Sequence, residues 1–190
     1  MSQHRSILVA AFVSEAVLAL LAFGIFKITS LSVSLQASPS DVALGAASAI
    51  PLLILNHVLW RMSAKRPDGV FARFSREVVV PVCRSIAPLS AAVVALLSGF
   101  AEELLFRGAI SLVLQEAAGM AVAAVVSSVL FAYVHFIGNL KRFGGMLPLY
   151  TFVGLYLWGV AQLTGSLAAA MVAHAAYNFL AILLIRALAR

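Results

Sequence analysis

Long apolar runs constrain this chain more than any other feature of its sequence. Short polar loops separate six of them, which cover residues 7–26, 42–60, 86–114, 120–137, 149–163 and 166–188. A helix of about 20 apolar residues crosses the hydrocarbon core of a bilayer and satisfies its own backbone hydrogen bonds there. We therefore predict an all-α fold, a polytopic membrane helix bundle with about six transmembrane helices, in a single domain over residues 1–190.

The composition supports a membrane protein and argues against other classes. Hydrophobic residues make up 63% of the chain and charged residues 11%, a balance that soluble domains do not show. The formal net charge of +6 would suit a nucleic-acid-binding protein. However, the basic residues stand in short loops between the apolar runs, so we expect the lipid bilayer and not nucleic acid as a partner. The single Cys83 excludes an internal disulfide.

The distribution of Lys and Arg predicts the orientation of the spans. All of them except Lys27 and Arg107 fall at the N-terminus, in residues 61–84, in the loop at 138–148, or near the C-terminus that ends at Arg190. Basic loops stay on the cytoplasmic side, so we predict that both termini are cytoplasmic.

Residues 61–84 also alternate basic and apolar side chains. This pattern predicts an amphipathic segment that lies on the cytoplasmic membrane surface.

Ionisable residues inside the apolar runs are candidates for function, because a charge at the bilayer centre costs about 2.5–3.5 kcal/mol. The third run holds Glu102, Glu103 and Arg107. Glu103 and Arg107 are four residues apart with the acid first, the favoured order for a helical ion pair, while Glu102 points about 100° away. We expect the pair to neutralise itself and to leave Glu102 free for chemistry. Glu15, in the first run, is interpreted as a structural hydrogen-bonding group.

Two residues near the end of the second run, Asn56 and His57, are also polar. We interpret them as interfacial side chains in contact with water.

Two later runs carry polar residues at helical spacing. Phe131 and His135 share one face of the fourth helix, and His174 and Asn178 share one face of the sixth. At about 1.5 Å per residue, both histidines and Glu102 fall in the middle of the membrane. Glu and His can share the proton of a water molecule, and His with Asn can donate to an oxyanion. Equally, Glu102, His135 and His174 could hold a zinc ion. The pattern leaves both mechanisms open.

The polar residues of these three runs form an ordered set of motifs: Glu102-Glu103-x-x-x-Arg107, Phe131-x-x-x-His135 and His174-x-x-x-Asn178. This set resembles the signature of the CAAX prenyl endopeptidase and bacteriocin-processing family, also called CPBP or Abi intramembrane proteases. Each motif is short, but the ordered triple is specific, and the resemblance covers approximately residues 88–185. It implies a glutamic-type intramembrane endopeptidase without a cofactor, acting on a membrane-associated protein or peptide.

The resemblance also implies a role for each motif residue. Glu102 and His135 would activate the hydrolytic water, while His174 and Asn178 would stabilise the oxyanion. Arg107 would orient or neutralise the glutamate pair that Glu103 completes, and Phe131 would pack the site. The chain is short for the eukaryotic members, so we expect an integral protein of a prokaryotic cytoplasmic membrane.

Two other functions fit parts of the pattern. A catalytically silent membrane scaffold or bacteriocin-immunity protein is also compatible with the family resemblance. A small proton-coupled transporter could use Glu102 and His135 as a proton relay, although the chain lacks the paired repeats common in transporters. The complete set of motifs favours the enzyme.

Overall fold

Helices make up nearly all of the structure, a computed structural model that describes residues 3–188. In chain order they are α1 (Gln3–Thr29), α2 (Pro39–Lys65), α3 (Val70–Phe74), α4 (Val80–Ser85), α5 (Pro88–Glu103), α6 (Ser111–Ala118), α7 (Met120–Phe136), α8 (Leu140–Phe143), α9 (Leu147–Thr164) and α10 (Leu167–Leu188). Two π-helical segments, Ser75–Val79 and Leu104–Ile110, join α3 to α4 and α5 to α6. The described range contains no strand, so the all-α prediction is confirmed. Arg190 lies outside the described residues.

Five helical stretches are long and apolar enough to cross a membrane. They are Arg5–Thr29, Pro39–Lys65, Pro88–Ala118, Leu140–Thr164 and Leu167–Leu188. The fourth predicted run corresponds to α7, an apolar helix of 17 residues and therefore about 26 Å long. The predicted runs thus coincide with helices of a polytopic bundle, and the chain is an integral membrane protein.

Glycines allow the helices around the centre of the bundle to approach closely. A Cβ atom at Gly45 of α2 would lie 2.5 Å from the carbonyl oxygen of Ala169 in α10. One at Gly99 of α5 would lie 2.7 Å from the carbonyl oxygen of Met171, also in α10. Small residues at crossings let membrane helices pack backbone against backbone. As a result α10 lies against both α2 and α5, and its polar residues reach the motif on α5.

The first helix covers another side of the motif segment. Ala22 of α1 is fully buried and packs with Leu104, Leu105 and Ala109, which belong to the π-helical segment after α5. A π-helical turn accommodates one more residue per hydrogen-bonded ring than an α-helix and is common at functional sites. This segment carries Arg107.

The amphipathic segment between α2 and α5 is helical, but its apolar face is turned toward the protein. Phe71, Phe74 and Val78 pack against a buried cluster formed by Phe136, Phe143 and Met146. The basic side chains of the segment, including Arg73 and Arg76, are exposed. The apolar face therefore closes one end of the bundle.

Two polar tethers hold this segment in place. Glu77 forms an ion pair with Arg142, with 2.7 Å between Oε2 and Nη2. The Arg186 guanidinium of α10 donates to the carbonyl oxygens of Arg84 and Ile86, at 3.1 and 2.5 Å. These bonds link the end of α4 to the last helix.

Candidate active site

The first motif places a buried ion pair at the junction of α5 and the π-helical segment. Arg107 Nη1 donates to Glu103 Oε1 at 2.9 Å, and both side chains are fully buried. The predicted pair is therefore present. Arg107 Nη2 donates to the carbonyl oxygen of Gly154 at 3.0 Å, and the guanidinium carbon lies 4.3 Å from the centre of the Phe131 ring. Arg107 thus connects α5 to α7 and α9.

Glu103 also contacts the third motif, which the sequence did not indicate. The same Oε1 atom lies 2.8 Å from His174 Nδ1. An ionised carboxylate, such as Glu103 in its pair with arginine, has no hydrogen to donate. The hydrogen of this bond is therefore on Nδ1 of His174. In a neutral imidazole Nε2 is then an acceptor, and it becomes a donor only when the ring is protonated.

Glu102 faces His135 of the second motif. Glu102 Oε2 lies 3.5 Å from His135 Nε2, and the Glu102 side chain is 9% exposed. His135 Nδ1 lies 2.8 Å from the carbonyl oxygen of Phe131, which only accepts, so Nδ1 carries the hydrogen. Nε2 of the neutral ring is therefore a proton acceptor opposite a carboxylate oxygen. Two acceptors in this arrangement can hold one proton between them or accept the two hydrogens of a water molecule.

Asn178 is linked to α5 through a serine. Its Nδ2 atom donates to Ser98 Oγ at 2.9 Å, and Ser98 Oγ donates to the carbonyl oxygen of Ala95 at 3.2 Å. Ser98 precedes Glu102 by four residues and so shares its helical face. That spacing is the signal by which the sequence could have identified Ser98 as a neighbour of the site.

A cavity of about 230 Å³ opens beside these residues. It is lined on one side by Phe131, His135, His174 and Asn178, and elsewhere mainly by apolar side chains of α2, α9, α10 and the amphipathic segment. No Asp, Glu, Lys or Arg of the described chain lines it. The cavity therefore suits an uncharged segment of a ligand.

The two polar residues near the end of α2 differ in how far they are buried. Asn56 is half-buried and lines the cavity. His57 is exposed.

The alternative zinc site does not fit this arrangement. Its ligands would be Glu102, His135 and His174. In residues 3–188, no group of three or more His, Cys, Asp or Glu side chains is positioned to hold a metal ion.

Glu15 of α1 approaches the same cluster. Its carboxylate interacts electrostatically with Glu102 and His174. The Oε2 atom is buried, and the side chain makes no hydrogen bond within the described part of the chain, contrary to the structural role expected from the sequence. A third acid thus lies near the motif residues.

The match to a family comes from the half of the chain that carries these motifs. Residues 84–180 match the family model described as type II CAAX prenyl endopeptidase Rce1-like. This range covers just over half of the chain and runs from the end of α4 past Asn178. The chain belongs to the Rce1-like family. Its members are intramembrane proteases of the CAAX type, and the resemblance inferred from the three motifs is confirmed. No curated protein and no solved structure matches the chain.

Proposed function

We propose that the chain is an intramembrane endopeptidase in which Glu102 and His135 activate water to hydrolyse a peptide bond without a metal. The observation that carries this proposal is the 3.5 Å separation of Glu102 Oε2 and His135 Nε2 beside an uncharged cavity. Both atoms accept protons, and both are held at the same depth in the bundle. General-base catalysis by such groups contributes about 10²–10⁴ in rate.

In the proposed reaction a water molecule donates to Glu102 Oε2 and His135 Nε2. Glu102 takes one proton as the water oxygen bonds to the carbonyl carbon of the substrate. The tetrahedral intermediate then expels the amine, and Glu102 returns the proton to the amine nitrogen as the C–N bond breaks. The carboxylate is regenerated, so each cycle consumes one water molecule and releases two peptide products.

The negative charge on the former carbonyl oxygen requires hydrogen-bond donors. His174 provides one from Nε2 when its ring is protonated, and the contact of its Nδ1 with the Glu103 carboxylate at 2.8 Å fixes the orientation of the ring. Asn178 keeps one hydrogen of Nδ2 after its bond to Ser98. Both side chains line the cavity.

The substrate in this proposal is a protein or peptide associated with the membrane. The cavity walls are apolar and aromatic, with Leu52, Leu59 and Phe74 among them. An uncharged stretch next to the cleaved bond matches such walls, because burying an unpaired charge there is costly. We place the enzyme in a prokaryotic cytoplasmic membrane.

A comparison of terminal peptides from membranes tests the function. Bacterial cells would express the wild-type chain, Glu102→Gln, or Glu116→Gln as a matched control, since Glu116 is an exposed acid of α6. We expect new protein termini with the wild-type and Glu116→Gln chains and none with Glu102→Gln. Identical peptide sets in all three would contradict proteolysis and support a scaffold or immunity protein.

A further inference from the structure

Tyr150, in the first turn of α9, contacts the site although no motif contains it. Its ring centre lies 4.9 Å from the centre of the His135 imidazole, with the planes at 55°. It also packs edge to face on Phe136 at 4.8 Å. The imidazole has a second aromatic neighbour in Phe131, at 4.7 Å. Two aromatic rings from different helices therefore restrict the orientation of His135.

The hydroxyl group of Tyr150 is free for a ligand. Tyr150 lines the same cavity as His135, His174 and Asn178. Its hydroxyl makes no hydrogen bond with any side chain or carbonyl in residues 3–188. By contrast Tyr156, on the same helix, donates to the carbonyl oxygen of Ser48 at 2.8 Å.

Tyr150 also interacts electrostatically with Glu102 of the first motif. Tyr150 also shares a face of α9 with Gly154, four residues further on, whose carbonyl oxygen accepts from Arg107. This face of α9 is therefore directed at the motif residues.

The donors of the third motif are partly in use. Nδ1 of His174 donates to Glu103, and one hydrogen of Asn178 Nδ2 goes to Ser98. A developing oxyanion is usually stabilised by more than one donor. A tyrosine hydroxyl is a donor that needs no change of charge.

We propose that Tyr150 is a further functional residue with two separable roles. Its ring positions the imidazole of His135, and its hydroxyl donates a hydrogen bond to the carbonyl oxygen of the peptide bond under attack. This inference rests on the proposed endopeptidase function. The hydroxyl keeps its proton throughout, so the balance of the reaction is unchanged.

Two substitutions separate the roles. Tyr150→Phe removes the hydroxyl and keeps the ring, while Tyr150→Leu removes both. Tyr133→Phe is the control, because Tyr133 is 41% exposed on α7 and does not line the cavity. The assay uses a quenched fluorescent peptide built on a cleavage site found by the terminal-peptide comparison.

We expect Tyr150→Phe to lower kcat by about 10²-fold with KM nearly unchanged, since it removes one oxyanion donor. Tyr133→Phe should cleave like the wild type. A residue that only packs would tolerate Phe, so wild-type kcat in Tyr150→Phe overturns the hydroxyl role if Glu102→Gln is inactive. If Glu102→Gln also cleaves normally, it is the endopeptidase mechanism that has failed.

The positioning role has a readout that requires no substrate. The chain has four histidines, so spectra of protein with ¹³C-labelled histidine are simple, and His135→Gln identifies the His135 signal. We expect Tyr150→Leu to shift this signal strongly and Tyr150→Phe to shift it little. An unchanged His135 signal in a folded Tyr150→Leu protein overturns the positioning role.

Discussion

Glu103 and His174 are bonded through Oε1 and Nδ1 at 2.8 Å, although 71 residues separate them in the chain. The same oxygen accepts from Arg107 at 2.9 Å. Glu103 therefore joins the first motif to the third and fixes which nitrogen of His174 carries the hydrogen. Its side chain is fully buried, so no solvent screens these interactions. Glu103 supports the site, whereas Glu102 remains available for the reaction.

The two neighbouring glutamates should respond differently to the same substitution. Glu103→Gln leaves the Arg107 charge buried without its carboxylate, and breaking a buried pair costs about 3–5 kcal/mol. We expect a much lower melting temperature and poor accumulation. Glu102→Gln removes no ion pair with Arg107 and should fold like the wild type, as measured by thermal melts in detergent. Equal melting temperatures for the two variants would contradict the separate roles of the two glutamates.

Local patterns in the sequence account for most of the fold. Apolar runs predicted the helices because membrane spans depend on length and hydropathy. The Glu103–Arg107 pair was predictable because its partners are four residues apart on one helix. The bonds from Glu103 to His174 and from Asn178 to Ser98 join different helices, 71 and 80 residues apart. No periodicity within one helix reports how two helices are rotated against each other.

The lining of the cavity could not be predicted from the sequence either. Its walls include α2 and the amphipathic segment, neither of which carries a motif. The alternation of basic and apolar residues correctly identified an apolar face on that segment. It does not distinguish a face that meets lipid from one that packs on Phe136 and Met146. Helix packing decides between them, and it depends on contacts distant in the sequence.

Close helix packing next to Arg107 makes Gly154 sensitive to substitution. A Cβ atom there would lie 2.9 Å from Ser128 Cβ on α7. Gly154→Ala should therefore destabilise the protein by about 1–3 kcal/mol and weaken the bond to Arg107. Gly159→Ala, on the same helix, meets nothing within 4 Å and should be neutral or stabilising. Chemical or thermal unfolding of both variants measures the difference, and equal destabilisation would contradict the packing between α7 and α9.

The predicted orientation can be checked with reporter fusions in the loops. The loop after α1 contains Gln36, and the short helix α8 before α9 contains the exposed Lys141. Because basic loops remain cytoplasmic, we expect a fusion at Lys141 to report the cytoplasm and one at Gln36 the opposite side. The reverse result, or the same side for both, would be incompatible with cytoplasmic termini.

Metal removal distinguishes the proposed chemistry from the zinc alternative. A site held by Glu102, His135 and His174 would lose its metal to a strong chelator and regain activity with Zn²⁺. We expect cleavage by the purified enzyme to be unaffected by chelator and elemental analysis to find no stoichiometric metal. One zinc per chain that tracks activity would reverse the choice of mechanism.

Substitution of the two site histidines by glutamine should separate a base from a donor. An amide is not a base, so His135→Gln should lose about 10²–10⁴ in rate, nearly as much as His135→Ala. At His174 an amide can still donate, so His174→Gln should retain more activity than His174→Ala. Single-turnover cleavage in liposomes measures each rate, with melting temperatures to confirm folding. His57→Ala is the control, because His57 is exposed and does not line the cavity. Efficient cleavage by His135→Gln together with loss in His174→Gln would exchange the two roles.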